Sequence, residues 1–333
     1  MKKKTVVIDK IKYLLNDIDK TAVITSFDLD LFDINIPISI THESKEYNVY
    51  GVKYSSVFKS MKRMPMGFLL NSVKSITIPS SFKYFASGWC DETPNLTEIN
   101  VSPKNKYFSS YNNIFIIGKS LQENAEEDFD VLIFCVRNVK NVTIPKFIKI
   151  IGSYSFQLCK QLDEVIFEPN SKLEIIEKYA FQYSSIKVIK TPPNLKVICR
   201  NAFDNCDQLT NFEIPMNSEI HTIQRYAFCN SSIESINITS KLIHLKKYWC
   251  MDIPKLNSIK VSPDNQMYSS YKDKYIIGKP LSYEEKDEEE EYNDCEENEE
   301  EEFINDNENE EEDEFINDNE NEEEDEFKYD NEN

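Results

Sequence analysis

Large aromatic residues recur at near-equal intervals through the middle of the chain. Phe156, Phe181, Phe203, Phe228 and Trp249 are separated by 25, 22, 25 and 21 residues. Each follows a shared phrase, clearest in VTIPKFIKIIGSYSFQLCKQL (142–162): apolar–x–apolar–Pro, an apolar pair three apart, then small–aromatic. Trp89 holds the same place after ITIPSSFKYFASG. A unit of this length cannot bury its own apolar face, so it has to stack on its neighbours, and a period of 20–50 residues signifies a solenoid.

The phrase also assigns the walls. Val142 and Ile144 flank Thr143, which is strand periodicity, and Ile76/Ile78, Ile99/Val101, Val165/Phe167, Phe212/Ile214 and Ile236/Ile238 repeat it. These inner pairs point into the coil, and stacking their strands makes a parallel sheet. Pro79, Pro145, Pro192 and Pro215 end the strands because proline cannot donate to the ladder. The second apolar pair (Ile148/Ile151, Leu173/Ile176, Ile220/Ile223, Leu242/Leu245) lines the opposite wall. With six glycines in the chain, the turns rely on Asn, Ser, Asp and Pro. The eight cysteines include no CxxC pair, and five fall one or three residues after a slot aromatic, so they read as buried, reduced small hydrophobes.

These residues carry a resemblance. IPKFIKIIGSYSFQLCKQLDEVIF, KYAF (178–181), RNAFDNC (200–206) and RYAFC (225–229) resemble the BspA-like class of leucine-rich repeats over most of 10–283. Only Gly152 keeps that class's Ile-Gly step; Glu177, Cys199, Gln224 and Lys246 replace it elsewhere. The resemblance implies a leucine-rich-repeat solenoid and a cell-surface or secreted adhesin-like or antigen role, as in bacteria and parasitic protists. It also accounts for a sentence written twice: WCDETPNLTEINVSPKNKYFSSYNNIFIIG (89–118) and WCMDIPKLNSIKVSPDNQMYSSYKDKYIIG (249–278). The first copy resembles the start of a protruding inserted hairpin in which a YSS-x-(Asp/Asn) turn leads into strand 114–118, with 131–136 returning. The second copy runs into the C-terminal tail without a returning strand.

The net charge of −21 hides two unlike parts. Residues 284–333 hold 30 acidic and 2 basic residues, a net of −28, which leaves 1–283 at +7. EFINDNENEEED stands at 302–313 and again at 314–325, so the tail is low-complexity sequence expected to be disordered. A solubilising role is the default reading; masking the basic body, loose calcium binding and acidic–aromatic docking through Phe303, Phe315 and Phe327 are the sharper ones. No signal peptide or 18-residue apolar run is legible, so the expected location is cytoplasmic, with the cell surface as the alternative by resemblance. Four sequons, at Asn95, Asn141, Asn230 and Asn237, matter only on a secretory route. His221 and His244, one coil apart, read as a surface pair rather than a metal site. No catalytic motif is present, and the basic excess is too scattered for a nucleic-acid stripe.

The expected architecture is a β-rich solenoid of roughly nine coils. It comprises 1–72 as an N-terminal β-hairpin cap and first coil, 73–283 as the repeat stack with a hairpin inserted at about 105–138, and 284–333 as the disordered tail. The expected function is non-enzymatic protein–protein interaction by a monomer, with no cofactor, metal, nucleic acid or membrane insertion. Its candidate face is the outward column Thr77, Asn100, Thr143, Ile166, Lys190, Glu213, Asn237 and Lys260. The alternative is an intracellular scaffold or chaperone-like protein that holds basic partners with its polyanionic tail.

Overall fold

Alternating apolar residues, closed off by proline or by a tight turn, give strands of two to eight residues, and the described molecule is built from these alone. The computed structural model describes residues 4–28, 31–53, 72–91, 93–120, 129–273 and 275–278. Met1–Lys279 is one compact unit. The acidic tail, and with it the expected boundary at 283, lies outside the described residues.

β1 (Lys4–Ile8), β2 (Ile11–Asn16) and β3 (Thr21–Phe27) form an antiparallel meander. β4 (Asp33–Asn35) belongs to the first coil, while β5 (Ser39–His42) and β6 (Lys45–Val52) form a hairpin whose second strand runs parallel to β3. The two expected cap hairpins are β2–β3 and β5–β6. The cap has one more strand than expected, β1, which turns back at Asp9 and Lys10, both with φ near +50 to +65° (49° and 66°) as a two-residue hairpin turn requires. β7 (Ser75–Ile78) and β9 (Glu98–Val101) stack on β4 in parallel, and β8 (Tyr84–Phe85) pairs with β6 on the opposite wall.

β10 (Phe108–Tyr111), β11 (Phe115–Gly118) and β12 (Val131–Cys135) correct the reading of the insertion. FSSY is itself a strand; the turn is Asn112–Asn113, at φ 51° and 57°. The hairpin does not protrude either. β12 returns antiparallel to β11 and then pairs in parallel with the next coil, Val131↔Ile150 and Leu132↔Ile151. The insertion therefore fills a place in the wall, and Phe115, Ile116 and Ile117 are buried by it.

From there the chain alternates between walls: β13 (Asn141–Ile144), β14 (Ile150–Ile151), β15 (Glu164–Phe167), β16 (Ile175–Ile176), β17 (Val188–Lys190), β18 (Val197–Ile198), β19 (Asn211–Glu213), β20 (Thr222–Ile223), β21 (Ser235–Ile238), β22 (His244–Leu245) and β23 (Ser258–Val261). The odd-numbered strands carry the Ile-x-Ile phrase. The even-numbered ones are two residues long and run in one unbroken ladder from β12 to β22. Counting β4, β7 and β9, the first wall has nine strands, one for each expected coil. β24 (Tyr268–Tyr271) and β25 (Tyr275–Gly278) close the described structure as an antiparallel pair.

Between the walls, Phe156, Phe181, Phe203 and Phe228 stack ring on ring at centroid distances of 4.7, 5.0 and 5.3 Å, within 7° of parallel. All four are fully buried, which is worth roughly 1.5–3 kcal/mol each. The backbone keeps the same register: Phe156, Phe181 and Phe203 donate their amides to Ala180, Ala202 and Ala227. This ladder corrects the tryptophans. Phe228 donates to Trp249, so Trp249 stands in the small-residue slot and Cys250 in the aromatic one. Gly88-Trp89-Cys90 matches it, with φ 77° at Gly88 against 61° at Tyr248. The phrase WC thus puts its cysteine, not its aromatic, into the core slot.

The turn residue two before each core slot is left-handed, and it is Tyr154, Tyr179, Asn201, Tyr226 and Tyr248, with φ between 54° and 63°. Tyrosine is costly there. Ring stacking offsets part of the cost, with Tyr154 on Tyr179 at 5.0 Å and Tyr226 on Tyr248 at 5.6 Å. Just before these turns, the departures from the Ile-Gly step have a physical reason. A Cβ on Gly152 would lie 2.9 Å from the carbonyl oxygen of Leu132 in β12, so only the coil beside the insertion needs glycine. One coil on, the Glu177 carboxylate accepts from the Ser153 amide at 2.7 Å, and the Gln224 side chain accepts from the Arg200 amide at 2.9 Å.

Candidate binding face and buried thiol cluster

In a strand whose alternate residues fill the coil, the residues between them face out. The first wall places Thr77 beside Asn100, Thr143 beside Ile166, Lys190 beside Glu213 and Asn237 beside Lys260. All eight expected residues are exposed or half-buried. Asn35 extends the column one coil toward the N-terminus, paired with Thr77. A second column runs beside it, two residues earlier in each strand: Ser75, Glu98, Asn141, Glu164, Asn211, Ser235 and Ser258 among them. The sequence reading missed it by taking only the residue between the inner pair, although the same alternation marks the residue before it.

The face is chemically mixed. Lys190 and Glu213 pair with each other at 2.7 Å across adjacent coils, worth at most about 1 kcal/mol at such exposure. Lys187 and Lys140 both reach Asp163 beside them. Among the described residues of the first wall, Ile166 is the large hydrophobic that stands exposed, at 45%. It sits on β15, the middle coil of the wall.

A second cluster is hidden. Arg137 is 2% exposed and no described carboxylate pairs with it. Its guanidinium instead donates to the carbonyls of Ser155 (2.9 Å), Tyr154 (3.3 Å) and Cys90 (3.4 Å), lies 3.8 Å from the Cys159 sulfur, and covers the Phe134 ring at 4.5 Å. Burial pushes the Cys159 thiol up, but a hydrogen bond from Cys135 and the Arg137 charge outweigh it and leave it lowered to about 7. Cys135 is pushed well up by burial and then by Cys159. A thiol lowered in the fold adds stability above its unfolded pKa and loses it as pH falls through the folded value. Cys159→Ser should therefore cost more at about pH 8 than at about pH 6, by on the order of 1 kcal/mol. Denaturant midpoints of both proteins at the two pH values measure it; an equal cost at both would show that no thiolate forms. No disulfide joins the seven described cysteines, six of which are buried and Cys250 half-buried.

His221 and His244 do lie on adjacent coils, the His244 amide donating to the His221 carbonyl at 2.9 Å. Among the described residues, no three His, Cys, Asp or Glu side chains are grouped to hold a metal. No helix in them is long and apolar enough to cross a membrane.

A parallel stack with a small-residue turn, a core ladder and an open strand face is a leucine-rich-repeat solenoid. The chain belongs to the BspA type leucine rich repeat family, whose repeat region matches in six copies over residues 27–120 and 130–269. A comparison with curated proteins finds no match. Among solved structures, the chain is similar to a leucine rich cell surface protein of Faecalibacterium prausnitzii, at 17% identity and a TM-score of 0.43, covering 84% of this chain and 60% of that one. It is similar to the pneumococcal vaccine antigen PcpA at 18% identity and a TM-score of 0.35, covering 83% and 54%. A leucine-rich repeat protein of Bacteroides ovatus matches at 18% identity and a TM-score of 0.35, covering 78% and 67%. The chain thus spans less than two thirds of the length of the first two. Proteins of this repeat family are typically non-enzymatic and suggest a role in protein–protein interaction.

Proposed function

We propose that the protein is a surface-antigen-like or adhesin-like binder that engages another protein through its first-wall face. The observation that supports this reading most is the pair of outward columns on nine strands, with Ile166 exposed at their middle. An extended parallel face of this kind offers many weak polar contacts around one apolar anchor, the usual anatomy of a binding site. A photo-crosslinking residue at position 143 is used to identify the partner, and alanine substitution of the eight column residues is then read by surface plasmon resonance. Ile166→Ala should weaken binding about 10-fold or more; unchanged affinity at all eight positions overturns the face.

Charge supports a second reading, in which the −28 tail holds basic partners inside the cell. Deleting 284–333 separates the two: capture survives if the face binds and is lost if the tail does. Protease treatment of intact native cells tests location, and a chain that resists shaving removes the surface role.

A further inference from the structure

The two copies of the repeated sentence fold alike up to one point. Asn105 and Asn265 clamp the same loops, and Phe108↔Gly118 in the first copy corresponds to Tyr268↔Gly278 in the second. In the first copy the free edge of β11 is taken by β12, antiparallel, with Phe115 opposite Cys135 and Gly118 opposite Val131. In the second, no described residue pairs with the free edge of β25. Phe115 and Ile117 are 0% and 5% exposed; their counterparts Tyr275 and Ile277 are 60% and 55% exposed. Tyr248, Met251 and Tyr271 are exposed on the same last coils. Of the thirteen exposed large hydrophobics, six lie between residues 243 and 277, so the apolar surface is concentrated at this end.

An uncovered apolar strand edge is a template for pairing. The first copy shows what suits it: an antiparallel strand of apolar residues. The sequence from 279 to 333 has no run of more than two apolar residues and so contains nothing like VLIFC. A second β25 does suit it. Antiparallel pairing about a two-fold axis sets Ile276 against Ile277 of the other copy and Tyr275 against Gly278, so each large ring lies over a residue without a side chain. The pairing is self-complementary, as an isologous interface must be.

We propose that the β25 end is an interface between two copies of this chain, paired edge to edge through Tyr275–Gly278, in place of the monomer expected from the repeat alone. Two acidic tails repel one another, so the interface is tested at about 0.3 M salt, where such repulsion is screened within several ångströms. Sedimentation equilibrium of the full chain up to about 100 µM should give twice the 39.0 kDa chain mass. Ile277→Lys, at a solvent-exposed position, should weaken association at least 10-fold with an unchanged circular dichroism spectrum. Val7→Lys places the same charge on the exposed edge strand β1 and should leave association intact. A chain that stays monomeric throughout, a dimer indifferent to Ile277→Lys, or one weakened equally by Val7→Lys overturns the proposal.

Discussion

Phe181→Ala will destabilise the protein by about 4 kcal/mol. Phe181, like Phe203, has a parallel ring on each side, 4.7 Å away at Phe156 and 5.0 Å away at Phe203, and it has no exposed surface. Truncation removes its transfer energy and leaves a cavity that two rigid walls cannot close. Phe181→Leu keeps most of the volume and should cost about 1.5 kcal/mol. The position adds a second expectation. Each coil touches only its neighbours, so a weak coil in mid-stack uncouples the two sides. Calorimetry should then resolve two transitions in Phe181→Ala where the parent shows one. A loss of 1 kcal/mol or less, with a single transition, would mean that the ladder is not what holds adjacent coils together.

Asn105→Ala should cost about 3 kcal/mol, and Asn265→Ala about half as much. Asn105 is buried and uses its whole side-chain amide. Its Nδ2 donates to the carbonyls of Pro79 (2.7 Å) and Phe82 (2.9 Å), and its Oδ1 accepts from the amides of Tyr107 and Phe108, both at 2.8 Å. Alanine removes four hydrogen bonds: the Pro79 carbonyl keeps the Phe82 amide at 3.3 Å, while the Phe82 carbonyl and the amides of Tyr107 and Phe108 lose the partner the clamp gives them. Asn265 repeats the clamp on Thr239, Leu242, Met267 and Tyr268 with similar distances. It is only half-buried, so water replaces part of what is lost. Urea denaturation of the two variants gives the costs, and faster amide exchange at Tyr107 and Phe108 would place the damage. Equal costs would show that burial does not set the value of the clamp.

The parts of the fold legible in the sequence are those fixed by stacking. Inner pairs such as Val142/Ile144 and Val165/Phe167 recur as apolar from coil to coil, with buried Thr191 in the 189/191 pair as a departure, so their period reports the walls and, by alternation, the outward column. Legibility ends where one residue serves a single junction. That β12 enters the second wall depends on Val131 meeting Ile150 across a parallel pairing that no local pattern announces. The Trp-Cys turns were misplaced by one residue because size suggested tryptophan as the plug, whereas the backbone register assigns the plug to cysteine. Asn105 and Asn265 are each one asparagine in an asparagine-rich chain. Their shared place in the doubled sentence was the available signal, since nothing but a common hydrogen-bonding duty requires the same amide in both copies. Arg137 gave no signal at all: its partners are a sulfur and three carbonyls rather than an acid.

The inequality of the two walls also has a mechanical meaning. The first wall pairs two to four residues per junction but breaks between β9 and β13 and between β19 and β21, whereas the second pairs two residues at every junction without a break from β12 to β22. Stretching would part the coils first between β19 and β21, where the two-residue β20–β22 pairing is the strand pairing that holds them, and then release further coils one at a time, each giving up roughly 80 Å of slack. The antiparallel β11–β12 pair interrupts that sequence with a different kind of joint. A stack built this way yields in steps, and coils away from the break keep their pairing on both walls.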